Sequence, residues 1–228
     1  PGAGTMVTIT EITDYPFDEN IQFSIQLPAA TQFKLYIRVP NWLEKAPILS
    51  LNGKVIFNQK TPENGSYLIL DRLWSNGDTF SYTTPLPLKT KTWTANKNSV
   101  SVYRGPIAYS LDVGEQYERI GGTDDWPEYA VTIKSSWNYG LISSSITEQS
   151  VKRKKRNIGA ENIFTVENAP TEITVQGRKI PEWQADSELV VGLLAQSPVQ
   201  SRQPTENLTL IPMGSARLRI TAFPSIAQ

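Results

Sequence analysis

The sequence predicts an all-β chain made of two antiparallel β-sandwich domains, jelly-roll or Ig-like in kind. Three observations predict it. Short runs place apolar residues at every second position, the period of a strand with one buried face. Asn-Gly and other Gly-containing turns separate those runs. Through roughly the first 90 residues, no helical stretch of about 10 to 12 residues interrupts them.

Strand-like alternation begins with Met6-Val7-Thr8-Ile9-Thr10 and continues over Asn20 to Leu27. Phe33, Leu35, Ile37 and Val39 share one face of the next run, which Pro40 ends. Ile48 to Leu51 and Lys54 to Phe57 flank Asn52-Gly53, a strong hairpin signal. Tyr67 to Leu70 is a further strand. Trp74 precedes a second turn, Ser75-Asn76-Gly77-Asp78, and Thr79 to Thr83 leaves it. Pro85 and Pro87 close this set. Residues 1–90 are therefore read as a first β-sandwich, because alternating faces need two layers to bury them.

A linker is expected near residues 88–98, and residues 98–228 are read as a second sandwich with long loops. One extended sandwich is the alternative. Val100 to Tyr103 and Ile107 to Leu111 flank an Arg104-Gly105-Pro106 turn. Residues 112–128, acidic and rich in Gly, Trp and Tyr, read as a long ordered loop before Ala130 to Ile133 resumes the sheet. Gly140 suggests a turn, Phe164 to Val166 and Ile173 to Ile180 read as strands, and Pro181-Glu182-Trp183 reads as a break. Residues 194–207 read as a loop. Leu208 to Pro212 and Ala216 to Ile220 read as two strands about a Met213-Gly214-Ser215 turn.

Composition excludes much chemistry. The 228 residues contain no Cys and no His, so a disulfide, a thiolate nucleophile, an imidazole or thiolate metal site and a Ser-His-Asp arrangement are all out of reach. Lys plus Arg and Asp plus Glu each number 22, which argues against nucleic acid or a membrane surface as a whole-chain partner. No run approaches the roughly 18 to 20 apolar residues of a membrane span. The opening residues lack a basic region followed by an apolar run, so they do not read as a secretory signal. Met6 is internal to them, which reads as a cut inside a longer protein or an expression remnant.

Asp112, Glu115, Glu118, Asp124, Asp125 and Glu128 could supply paired carboxylates or a hard-cation site, but a solvated face explains them better. Lys152 to Arg156 is a dense basic run, more simply an exposed turn or edge than a polyanion site. Trp126, Tyr129, Trp137 and Tyr139 flank expected loops and are the candidate carbohydrate-binding aromatics. Trp42, Trp74 and Trp93 lie beside strand ends, as core plugs or interdomain packing. No catalytic residue and no metal ligand is assigned.

Phe33-Lys34-Leu35-Tyr36-Ile37-Arg38-Val39-Pro40-Asn41-Trp42 resembles the LRIRIPxW strand found after the barrel in the β-L-arabinofuranosidase-like family, glycoside hydrolase family 127 and its relatives. Leu51 to Lys54, Gly65 to Leu68, Trp74 to Asp78 and Leu86-Pro87-Leu88 follow in that family's order. Tyr103 to Tyr109 resembles its QRGPxxY strand, and Ser136 to Leu141, Ile180 to Trp183 and Leu210 to Ile220 continue the likeness. The resemblance implies a parent glycosidase with an (α/α)6 barrel N-terminal to this chain, carrying a cysteine nucleophile and a zinc held by cysteines and a glutamate. Without Cys, this chain has none of those positions and needs no cofactor of its own. It would be a non-catalytic accessory region packed on the parent's barrel, with Arg104 and Trp42 as candidate interdomain contacts. A local salt bridge explains Arg104 equally well. The resemblance also implies plant-type polysaccharide as the parent's substrate and a periplasmic or secreted location. The alternative is a carbohydrate-binding module acting through its loop aromatics.

Overall fold

Sixteen short strands, β1 to β16, and three 3-10 helical turns make up the secondary structure of the computed structural model, which describes residues 4–57, 65–153, 162–187 and 190–227. There is no α-helix among the described residues. The chain divides into two compact units, Pro1–Pro87 and Leu88–Gln228.

In the first unit, β1 (Thr8–Thr13), β2 (Asn20–Gln26), β7 (Thr79–Thr83), β4 (Ile48–Leu51) and β5 (Lys54–Phe57) form one antiparallel sheet in that spatial order. β3 (Thr31–Arg38) and β6 (Tyr67–Trp74) form a second, two-stranded sheet. Alternation decides what each layer buries. Phe33 and Ile37 from β3 meet Ile25, Leu49, Phe80 and Tyr82 from the larger sheet in one core. Trp74 plugs it, fully buried, with its indole N–H donating to the Phe33 carbonyl at 3.1 Å. Asn52 and Gly53 turn the β4–β5 hairpin with φ of 46° and 77°, the left-handed pair that a two-residue hairpin turn requires.

In the second unit, β13 (Tyr139–Leu141), β15 (Thr171–Lys179), β16 (Thr205–Pro212), β10 (Ile107–Leu111), β9 (Ser99–Arg104) and β8 (Leu88–Trp93) run in that order, with β14 (Val151–Arg153) also paired to β15. Val102, Tyr109, Leu141, Ile173, Val175, Leu210 and Phe223 form its core. β11 (Glu115–Gly122) and β12 (Pro127–Ile133) pair only with each other.

Several expectations are corrected. Residues 112–128 are not a loop: they hold β11 and the turn into β12, with a bulge between Arg119 and Gly121. Most side chains on both faces of this hairpin are exposed, so its strands carry no alternation to read. The segment expected as a linker contains β8, a polar Lys-Thr edge strand paired to β9 along its whole length. Phe164 to Val166 is not a strand. Asn162 Oδ1 accepts the Phe164 N–H and Thr165 Oγ1 that of Asn168, so side chains hold turns there. Ala216 to Ile220 is not a strand either. Glu115 takes the N–H groups of Arg217 and Leu218, and Ser110 Oγ that of Ile220, so side chains take N–H groups that a strand would give to a ladder. Gly140 lies inside β13 rather than at a turn. A Cβ there would stand 2.6 Å from Ile226 Cδ1 and 3.0 Å from Ile180 Cδ1, so a larger residue would have to displace both side chains. Of the basic run, Lys152 and Arg153 lie in β14, and Lys154, Lys155 and Arg156 fall outside the described residues.

Candidate functional site

The four candidate carbohydrate aromatics separate by environment. Tyr139 is buried, its hydroxyl donating to Glu206 Oε2 at 2.9 Å while Lys179 Nζ stands 3.9 Å from the other carboxylate oxygen. Burial first, then the Glu206 carboxylate, pushes its phenol up to about 12, so it stays a neutral donor. It cannot face a sugar. The loop-flanking position concealed a period-two run, Trp137, Tyr139, Leu141, which points into the core.

Trp126 and Tyr129 lie on the β11–β12 hairpin. Trp126 is 82% exposed at its tip, and Tyr129 meets Tyr117 edge-on, with ring centroids 6.0 Å apart. Arg119 braces the tip by donating to the carbonyls of Gly121 and Gly122 and to Asp124 Oδ1, the last at 2.9 Å. Trp137 is half-buried and packs edge-on to Trp183 at 4.8 Å. No single exposed plane therefore contains all four rings.

Three of the acidic residues have separate structural tasks. Asp112 accepts the Gly114 N–H, Asp124 pairs with Arg119, and Glu115 receives both the Tyr117 hydroxyl and the N–H groups of Arg217 and Leu218. That carboxylate fastens the hairpin to the segment after β16, a role that pairwise spacing in the sequence does not reveal. It also raises the Tyr117 phenol, chiefly through their hydrogen bond. Among the described residues, no group of three or more acidic, His or Cys side chains could hold a metal.

Arg104 is buried at the end of β9, in register with Ile107 on one side and Leu88 on the other. Trp42 is half-buried in the first unit. With Tyr15, Arg38, Tyr82 and Thr84 it lines a recess of about 450 Å³. Burial is the main reason that the phenols of Tyr15 and Tyr82 are raised there, the latter to about 12.

The outer face of the β3–β6 ribbon has no counterpart among the sequence candidates. The register sets Tyr36 opposite Ile69, Arg38 opposite Tyr67, Lys34 opposite Asp71 and Gln32 opposite Leu73. Tyr36, Tyr67, Ile69 and Leu73 are each more than half exposed, and the two tyrosine rings stand perpendicular at 6.3 Å. The inner face carries Phe33, Ile37 and Trp74. The outer face thus sets these four apolar side chains among Gln32, Lys34, Arg38 and Asp71, with Lys34 and Asp71 paired at 3.7 Å, and the unbroken run Tyr67-Leu68-Ile69-Leu70 is its sequence signal.

That segment also carries the sequence likeness. Residues 2–86 match the family model described as beta-L-arabinofuranosidase, GH127 middle domain. The LRIRIPxW-like strand falls inside the match. No curated protein matches the chain. Among solved structures, a GH127 β-L-arabinofuranosidase from Geobacillus stearothermophilus T6 superposes with TM-score 0.63 at 20% identity, over 97% of this chain and 31% of that one. A glycoside hydrolase gives 0.60 at 21% identity, over 98% and 34%. A GH127 β-arabinofuranosidase gives 0.61 at 16% identity, over 97% and 32%. At these identities the likeness shows the fold. The chain spans about a third of the length of these GH127 and related chains.

Proposed function

We propose that this chain is the non-catalytic, β-sandwich accessory region of a longer glycoside hydrolase of the arabinofuranosidase kind. One observation carries the reading: solved glycosidase chains match this chain almost end to end while two thirds of their own length lies outside the match. The absence of Cys from the sequence agrees, since the cysteine nucleophile and the cysteine zinc ligands that the family resemblance implies have no counterpart here. Any such zinc belongs to another part of the parent, and no residue of this chain is assigned to it. The partner is the parent's own helical barrel, N-terminal to this chain. The apolar outer face of β3 and β6 is the surface to be covered, by the barrel or by another part of the parent. We place the parent in the periplasm or outside the cell, acting on plant-type polysaccharide.

The test is hydrolysis of an aryl β-L-arabinofuranoside. This chain alone should give no turnover, and the product of the full reading frame should give it. Turnover by the chain alone would overturn the accessory reading.

A further inference from the structure

Two adjoining recesses lie beside Trp137 in the second unit. One, about 350 Å³, has an apolar wall that includes Val113, Val131, Leu218 and Ile220, with Thr132 and Arg219 as its polar members. The other, about 440 Å³, is lined largely by polar groups: Lys134, Ser135, Ser136, Asn138 and Gln184. Ile133, Trp137 and Ala185 belong to both.

The indole of Trp137 is held edge-on against buried Trp183, whose own N–H is tied to the Gly192 carbonyl at 2.9 Å. The Trp137 N–H donates to no group among the described residues. Asn138 and Gln184 are anchored through their amide nitrogens, to the carbonyls of Ile180 at 3.1 Å and Pro181 at 2.8 Å. Their amide oxygens are left as oriented acceptors. Arg219 is oriented in the same way, its Nε donating to the Ala216 carbonyl at 2.8 Å. Neither Arg219 nor Lys134 forms an ion pair among the described residues, and no carboxylate is among the residues lining either recess.

An apolar wall beside an indole suits the face of a sugar ring. Fixed amide oxygens suit its hydroxyls. Two cations that form no ion pair among the described residues, in recesses with no acid among their lining residues, suit a carboxylate. We propose that this double recess binds a saccharide bearing a uronate. The proposal goes beyond the accessory role and does not depend on it, because a module can bind sugar whether or not it packs on a barrel.

The test uses the whole chain, titrated with oligogalacturonate, with neutral arabino-oligosaccharides of equal length, and with benzoate as a carboxylate on a ring without hydroxyls. Tryptophan fluorescence and calorimetry read the binding. Oligogalacturonate should saturate at about millimolar concentration or below and weaken with added salt; the other two should bind about tenfold more weakly or worse. Arg219→Gln, at an exposed side chain, should weaken oligogalacturonate binding about tenfold, and Trp137→Phe should weaken it while removing the fluorescence change. Equal binding of the neutral sugar would overturn the charge assignment, and equal binding of benzoate the saccharide assignment. Binding unchanged in Arg219→Gln, or no saturation at all, would overturn the site.

Discussion

Asp78 joins two turns that lie far apart in sequence. Its carboxylate accepts the Ser75 N–H at 2.9 Å and the Asn52 side-chain amide at 2.8 Å, with Arg72 3.8 Å away. Asn52 in turn accepts the Thr79 N–H at 2.8 Å. The Ser75 and Asn52 hydrogen bonds, and to a lesser degree Arg72, outweigh burial and hold the Asp78 carboxyl below its usual range. A depressed pKa contributes stability above the unfolded value, so that contribution fades as pH falls below about 4. Asp78→Ala should cost about 1 to 2 kcal/mol in denaturant unfolding at neutral pH, because it removes two part-buried hydrogen bonds to a carboxylate together. Tyr82 and Tyr139 act at the other end of the scale. Both phenols are pushed up from the ordinary tyrosine range to about 12, chiefly by burial, so the neutral form is favoured in the fold. Their contribution is complete below about pH 10 and is lost as pH climbs through 12. The denaturation midpoint should therefore fall across that window, and a double Tyr82→Phe, Tyr139→Phe variant should flatten the fall.

At the scale of elements, packing decides what the sequence can announce. The β4–β5 hairpin and the β6–β7 turn, which joins strands of different sheets, are legible because Asn52-Gly53 and Asn76-Gly77 carry turn chemistry between strand-like runs. β8, β11 and β12 are not, because alternation records burial and these strands bury little. Ala216 to Ile220 shows the converse: it alternates well, yet its N–H groups go to Glu115 and Ser110 side chains, a contact more than a hundred residues apart that no local pattern encodes. Gly140 is filled by close neighbours, so Gly140→Ala should cost about 1 to 3 kcal/mol by thermal or denaturant unfolding. The β3–β6 outer face gives a prediction of the opposite kind. Tyr67→Lys and Ile69→Lys should change the stability of this chain by no more than about 0.5 kcal/mol, since both side chains are exposed in it. In the full-length parent the same pair should lower the melting temperature by several degrees, because the proposed accessory role has that face covered there.

For the molecule as a whole, the ordered strand motifs were more informative than any candidate site. The run from Phe33 to Trp42 lies inside the GH127 middle-domain match, and the fold likeness extends over nearly the whole chain. The site was harder to read. Trp137 and Tyr139 are two positions apart, and one lines a recess while the other is buried against Glu206, a difference set by strands distant in sequence. The ribbon face escaped notice because Tyr36 and Ile69 become neighbours only through the β3–β6 register. The measurement that tests the account most directly is the nucleotide sequence of the gene immediately upstream of these codons. A frame running on into a long, helix-patterned, cysteine-containing region is the result predicted here. A stop codon and ribosome-binding site just ahead of Met6 would contradict it.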